Sequence, residues 1–470
     1  MHKLITVFLL LAYCTTVAQE TSPWTLKKCI QYALEHNTSI AQNRLQGEIA
    51  ENNLHQSKIN RLPAINGNGN HNYNIGRTID PFTNSFNNTT IQSNSFSIGA
   101  GVLLYGGSQV NHTINQNKSA LLANQSSLAV IRNQIALSVS QTFLQIIQGE
   151  ENLKWANTQY EITQSQLKQA EIFLENGSTN AQLVLNLKAQ SANDKVNIIN
   201  AQNTIQRGYN TLMNLMQYPI DQSFEIHIQP MTYDPSMRTE SVADIYTMAL
   251  QNLPDIAQAE AIIAQNKYAE KMASARLQPT ISGYGNINTV YSQSGQNIRF
   301  GDTTFIPIGF TENSLEQVLV PNVATELTPK SFGDQLTDNL GQQVGLSISI
   351  PIFNGYRNQT TLKNARLNTK ISELNLQNTK NQIRNDVTTA YTDLKTAESR
   401  YLATKQSVEA QQLNYAYSQK RFDAGILNSV ELLTAKNQWN QAQIQWINAK
   451  YEWLFRNLII DFYKGKELSL

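Results

Sequence analysis

The chain has 470 residues and carries 36 Lys and Arg against 35 Asp and Glu, a net charge of +1. That balance argues against a nucleic-acid binder, which needs a basic stripe. The negative mean hydropathy excludes a bundle of membrane-spanning helices. Charged residues are only 15% of the chain. Asn and Gln together make up about a fifth, so the polar surface is mostly amide rather than ionic.

The first residues read as an export signal over 1–18. Lys3 is the basic start, Leu4 to Leu11 the apolar run, and Thr15-Thr16-Val17-Ala18 the small-residue cleavage region. The run is too short to span a bilayer. A lipoprotein signal would make Cys14 the first mature residue, but Tyr13 stands where a small residue is wanted. Cys29 is then the one cysteine of the mature chain, which leaves neither an intramolecular disulfide nor a thiolate metal cluster. No later stretch is long and apolar enough for a transmembrane helix.

The remainder is an internal duplication. Tyr32-Ala33-Leu34 and Ile40-Ala41-Gln42 recur 216 residues later as Met248-Ala249-Leu250 and Ile256-Ala257-Gln258. Further on the offset is 248: Leu104-Tyr105-Gly106-Gly107 matches Ile352-Phe353-Asn354-Gly355, and Gly177 matches Gly425. The change falls in one loop, about 77–93 in the first copy and about 293–341 in the second. Both segments are rich in Asn, Ser, Thr and Gly, as surface loops are. Each copy therefore reads helix, strand, loop, strand, long helix, glycine turn, helix. The boundaries expected are 19–218 for the first repeat, 219–240 for a linker, 241–465 for the second repeat and 466–470 for a tail.

Four segments alternate as half-buried strands do. Asn66, Asn68, Asn70, Asn72 and Asn74 share one face of the first. Phe96, Ile98, Ala100, Val102 and Leu104 share one face of the second. The third, about 280–292, is less regular, because Tyr284 and Val290 break its polar face. The fourth places Val344, Leu346, Ile348, Ile350 and Ile352 together. Strands of about ten residues can cross a bilayer obliquely, and they also suit a soluble sandwich. Four strands cannot close a barrel, so a membrane reading forces several chains to share one.

The long helices are more specific. Residues 108–176 and 356–424 contain no proline. Val139, Ile146, Leu153, Tyr160, Leu167 and Leu174 recur every seven residues, and their counterparts at the 248 offset are again apolar or aromatic. Small residues such as Gly149, Ala156, Thr163 and Ala170 follow three positions later. Large against small at this spacing predicts a coiled-coil seam with close helix approach. Each helix turns at a glycine into a returning helix, about 180–217 and 429–464. Thr179 with Gln182, and Asn428 with Glu431, have capping-box spacing. Trp439, Trp446 and Trp453, seven apart, read as seam packing.

This pattern resembles the TolC-like outer-membrane efflux proteins. The residues that carry the resemblance are Trp24-Thr25-Leu26 through Ala33-Leu34 and Asn37, the strand ends Tyr105-Gly106-Gly107 and Phe353-Asn354-Gly355, and the turns at Gly177 and Gly425. The run Gly425-x5-Glu431-Leu432-Leu433-Thr434-Ala435-Lys436 looks like the family's second turn. The resemblance implies a mainly α chain with a β-barrel part: duplicated antiparallel helical hairpins, four transmembrane strands per chain, and a homotrimer. It implies a passive exit duct in the outer membrane that works with a periplasmic adaptor and an inner-membrane pump. The segments near 218–240 and after about 465 would form a belt around the tunnel. Family members carry two acidic residues in the second turn; Glu431 falls on the first position and Thr434 on the second. Some relatives lock the closed tip with a Tyr and an Arg; Phe422 and Leu427 stand at those positions here, a departure from that polar lock. The first turn reads two residues longer than the second, from Gly177 to Ala189-Gln190. Three Glu431 carboxylates near one axis would repel one another and attract polyvalent cations; alternatively Glu431 only caps its helix.

No histidine has HExxH spacing, and no nucleophile elbow, phosphate loop or dinucleotide fingerprint occurs. No enzyme and no cofactor are expected. The competing readings are an exported soluble coiled-coil scaffold and a stand-alone diffusion porin. Long helical hairpins argue against the porin.

Overall fold

The computed structural model describes residues 24–79, 84, 86–88, 90–177, 180–220, 224–227 and 240–466. The export signal at 1–18, Thr179, most of the linker and the last four residues lie outside the described residues. The chain divides into two compact units.

The first unit comprises the described residues of 1–49, 121–262 and 372–470 and is helical. Helices α1 (Leu26–His36) and α2 (Thr38–Ile59) open it, the latter running on into the second unit. The long pairs are α3 (Gln109–Glu175) with α4 (Ala181–Met216), and α8 (Arg357–Asp423) with α9 (Ser429–Tyr463). Between them lie α5 (Val242–Asn252) and α6 (Pro254–Ala275). The single opening helix expected for each copy is in fact two, broken at Asn37 and at Leu253, both extended in backbone. The reason differs between copies. Pro254 forbids the helical bond at its own nitrogen, whereas the Asn37 side chain bonds the Leu215 carbonyl at 2.9 Å.

The duplication is written in the backbone. Thr25 and Ser241 are N-caps at the 216 offset. Beyond the loop, four features repeat at 248. Gly107-Ser108 and Gly355-Tyr356 have positive φ; so do Gly177 and Gly425; Asn180 and Asn428 are N-caps; Gln217 and Gly465 are left-handed helix ends. Asn180, not Thr179, thus caps α4. The two turns have equal length, so the longer first turn expected from Ala189-Gln190 is not observed. The helix ends match bond for bond: Tyr218 N to Met213 O, and Lys466 N to Asp461 O, the Schellman pattern that satisfies orphan carbonyls.

The seven-residue ladder is the core of this unit. Val139 and Ile146 on α3 and Val387 and Leu394 on α8 are buried together with Leu212, Met216, Ile447 and Leu458. The ladder weakens toward the turn, where Leu174 is exposed. The small residues set the approach of the helices. A Cβ on Gly208 of α4 would lie 2.7 Å from Cγ1 of Ile146, and one on Gly149 of α3 would lie 2.9 Å from Cγ1 of Ile205. The tryptophans pack as expected: Trp453 stacks on Tyr401 at 5.2 Å and Trp439 on Tyr415 at 5.2 Å.

The second unit, Ala50–Ala120 and Ile263–Ile371, carries the sheet. Strands β1 (Ala64–Asn74), β4 (Ile91–Tyr105), β5 (Thr280–Ser292) and β8 (Gly341–Ser349) form one antiparallel sheet in the order β1-β4-β5-β8. The four expected strands are all in it. Ile350 and Ile352 are not; β8 ends at Ser349, because Pro351 lacks a donor and restricts Ile350. Tyr284, which broke the pattern of β5, lies across Gly345 of β8: a Cβ there would come within 2.6 Å of its hydroxyl. The two expected loops hold further strands. The first holds the short hairpin β2 (Arg77–Ile79) with β3 (Phe86–Asn88). The second holds a long hairpin, β6 (Gln296–Phe310) with β7 (Gln317–Pro329), and a short helix α7 (Phe332–Asp338). Thr, Val and aromatic residues within 296–329 favour strand over loop.

The close helix approach yields a stability contrast. Gly208→Ala forces Ile146 aside, and overpacking of this kind costs about 1–3 kcal/mol. Gly47→Ala adds a methyl where nothing lies within 4 Å, and stabilises α2 by about 0.5–1 kcal/mol. Thermal unfolding followed by circular dichroism should lower the midpoint for the first and raise it for the second.

Candidate functional site

Two places carry the features that the sequence singled out: the sheet, and the turns of the helical hairpins. In the sheet the register sorts side chains into two faces. Asn66, Asn68, Asn70 and Asn72 lie opposite Gly99, Ser97, Ser95 and Ser93, and Asn286 and Asn288 continue that face onto β5. The other face carries Ile65, Phe96, Ile98 and Ile287, then Val344, Leu346 and Ile348 on β8. Val102 joins it opposite Gly283. Asn74 pairs with Ile91 at the strand end. The apolar face is bare: Val344 is 90% and Leu346 68% exposed. Beyond β1 and β8 no strand follows, so both outer edges are unpaired among the described residues.

At the hairpin turns, Gly177 and Gly425 take the left-handed conformation that ends α3 and α8. Asn428 caps α9: its Oδ1 accepts from Glu431 N at 2.9 Å, while its amide donates to Glu431 Oε1 at 2.9 Å. The return bond of an ordinary capping box goes to backbone; here Glu431 holds the side chain of the cap instead. Glu431 and Thr434 are both exposed, one turn apart on α9. The hydroxyl of Thr434 donates back to the Val430 carbonyl at 2.8 Å. Phe422 is half-buried and packs with Leu433 on Ala170, Leu183, Val184 and Leu187. The position thus serves apolar packing between the two hairpins. Leu427 is half-buried in the turn.

One cluster near the turns was missed by pattern reading. Lys436 of α9 is 1% exposed and Asp194 of α4 is 2% exposed. Their charges lie 3.4 Å apart. Lys436 Nζ also donates to the Gln159 carbonyl of α3 at 3.2 Å and to the Thr163 hydroxyl, and Thr163 donates to Asp194. Gln190 completes the carboxylate's shell at 2.8 Å. Burial lowers the Lys436 pKa, and the Asp194 carboxylate counters that. The signal was present in the spacing: Lys436 stands on the buried stripe of Leu432, Ala435 and Ala442, and Asp194 lies seven residues after Leu187.

No group of His, Cys, Asp and Glu fit to hold a metal ion occurs among the described residues. No helix among them is long and apolar enough to cross a membrane.

The model of the outer membrane efflux protein family matches residues 29–216 and 245–458, that is, both repeats. The chain belongs to the outer membrane efflux protein family. The fold is shared with solved channels. The chain is 16% identical to CusC, whose structures concern transmembrane channel formation, covering 94% of this chain and 92% of that one with a TM-score of 0.77. It is 15% identical to VceC of Vibrio cholerae, over 94% and 96% of the two chains, with a TM-score of 0.74. It is 17% identical to the CmeC outer membrane channel of Campylobacter jejuni, over 96% and 88%, with a TM-score of 0.70. No curated protein sequence matches the chain. This efflux protein is an outer-membrane channel-tunnel that lets solutes out, not an enzyme, and the family favours neither a soluble scaffold nor a diffusion porin. Its family places a β-barrel in the outer membrane and a helical tunnel in the periplasm. Channels of this family are homotrimers that work with adaptor proteins and inner-membrane pumps.

The buried pair of the efflux protein makes a thermodynamic prediction. Lys436→Met leaves the Asp194 carboxylate buried without its counter-charge, at a cost of about 3–5 kcal/mol. Adding Asp194→Leu removes the stranded charge and restores most of that loss. Melting of the two variants, compared with the parent, should show the double variant well above the single one.

Proposed function

We propose that three copies of this chain share one twelve-stranded barrel in outer-membrane lipid and one twelve-helix tunnel, which docks on a periplasmic adaptor and an inner-membrane pump. The sheet carries this reading. Its four strands have two open edges and one bare apolar face, and lipid tolerates neither an open edge nor an unsatisfied backbone group. Identical copies are the simplest source of the missing edges: β8 of one chain meets β1 of the next, and three such joints close the ring. The apolar face then meets lipid and the Asn-rich face lines the lumen. Repeats 19–218 and 241–465, joined through 219–240, each supply half of a chain's wall. The amide-rich surface binds solutes weakly, so the pump and adaptor select the cargo.

In this assembly Glu431 and Thr434 sit at the periplasmic end with Gly177, Gly425, Phe422 and Leu427. Glu431 forms the one acidic ring, because Thr434 holds no charge. Its exposure and its position in the first turn of α9 support this.

Two measurements test the reading. Leu346→Arg puts a cation on the lipid face, at a cost of about 2–4 kcal/mol near the bilayer midplane. Ser347→Arg puts the same cation on the opposite face. The temperature at which the detergent-stable trimer dissociates on a gel should fall far more for Leu346→Arg; equal falls would show that the apolar face does not meet lipid. Glu431→Ala should raise single-channel conductance in a planar bilayer and weaken block by trivalent cations. Unchanged conductance and block would remove Glu431 from the constriction.

A further inference from the structure

Among the described residues the β6–β7 hairpin has no equivalent of its size in the first repeat, where β2 and β3 have three residues each. It is surplus to membrane crossing, since β5 and β8 already supply about the nine to eleven residues that one strand needs. Its root is firmly built. Lys330 N bonds Gly295 O at 2.9 Å. The Gln335 side chain, 1% exposed, donates to the carbonyls of Ser292 and Lys330 at 3.0 Å and accepts from Ser292 N at 3.0 Å. Asn339 and Thr289 tie α7 to β5 through Val290 O and Leu336 O. Such a root holds the hairpin to the strands; it does not describe a slack loop.

From the root to Thr304 and Asn322 the two faces of the hairpin differ. Cross-strand register puts Ile298, Phe300, Phe305, Leu319, Val323 and Leu327 on one side. Asn297, Arg299, Thr304, Asn322, Glu326 and Thr328 lie on the other, which becomes apolar toward the turn at the Ile306–Val320 pair. The apolar side is open, with Phe300 72% and Phe305 64% exposed. A lone two-stranded hairpin is marginal in water and needs a surface to pack on, and an apolar patch of this extent marks an interface.

The topology points to the occupant. Helices α2, α3, α6 and α8 all join the sheet at one end, so the hairpin leaves from the opposite end. The chain returns from it through α7 directly into β8, the edge strand that takes the neighbouring copy in the trimer proposed above. Each copy thus presents its hairpin beside the joint with the next. Twelve strands spaced about 4.8 Å and tilted by roughly 40° close into a barrel about 24 Å across. The 13 residues of β7 extend, at about 3.3 Å each, to about 43 Å. That reach exceeds the radius of the mouth, so three hairpins can meet on the axis.

We infer that the apolar face of the β6–β7 hairpin packs against the same hairpin of the two other copies, so that three hairpins cover the exit of the channel. This inference rests on the trimer. In the assembled protein, Phe305→Cys should couple on mild oxidation into a cross-linked dimer band, Cys29 being buried. Replacing residues 296–329 by a Gly-Gly turn should raise single-channel conductance several-fold. Phe300→Ser with Phe305→Ser, which keeps the hairpin, should do the same in milder degree. A trimeric mass with no cross-link in the Phe305→Cys variant, and unchanged conductance in the other two, overturns the cover. Labelling of the introduced thiol by a lipid-phase maleimide also overturns it, by placing the face in the membrane. A wild-type mass other than a trimer overturns the assembly itself, and is read separately by light scattering in detergent.

Discussion

Everything in this chain is arranged around backbone hydrogen bonds it cannot complete by itself. A strand edge in hydrocarbon leaves N–H and C=O groups without partners, at several kcal/mol for each group. β1 and β8 leave two such edges, on strands of 11 and 9 residues. The sheet also lacks an apolar core of its own. Of the buried hydrophobic residues among those described, Ile91 is the one contributed by a strand; the rest belong to helices, their ends and connecting segments. The helical unit has a buried apolar core that runs from Leu26 and Cys29 to Ile460, while Leu185, Ile199 and Leu413 stay exposed on its helices. The sheet displays its own apolar residues outward. One unit therefore has an apolar core of its own and the other does not, and it is the second that the proposed assembly completes.

What was legible in advance followed from periodicity. The 216 and 248 offsets found in short words such as Ile40-Ala41-Gln42 reappear as matched caps, matched positive-φ residues and matched buried positions: Ala33 with Ala249, Ile40 with Ile256. Cys29 falls opposite Ile245 in this scheme and is as buried. Burial pushes its thiol up to about 12, which fits a packing residue rather than a reactive one. What was not legible involved competition between local and distant effects. Residues 296–329 contain Gly, Asn and Pro that mark loops, yet Pro307 and Pro321 sit in a two-stranded ribbon, where each strand has a free edge and a missing donor costs little. Ile350 continues the alternation but loses its strand to Pro351. Thr179 satisfies a spacing rule, but Asn180 keeps the 248 register and makes the cap. Near the α8–α9 turn, the positions of Glu431 and Thr434 could be read, but the packing of Phe422 depends on a second hairpin about 250 residues away in sequence, which no local pattern reports.

The two repeats also diverge where a repeat is a liability. A seam of large and small residues every seven positions is nearly unchanged by a slip of one heptad, so packing alone discriminates poorly between registers. Lys436 and Asp194 do discriminate. Their counterparts at the 248 offset are Lys188, which makes an exposed pair with Glu171, and Ala442, which is buried. The charged lock therefore exists once per chain, spanning α3, α4 and α9. A buried ion pair contributes little net stability over an apolar pair of the same shape, but splitting it is expensive. A slip of either hairpin by seven residues would bury one charge without the other, while Val139, Ile146 and Leu394 would find equivalent neighbours. In a wall otherwise made of interchangeable amides and heptads, the one fully buried charge pair among the described residues is what makes the hairpins fit together in a single way.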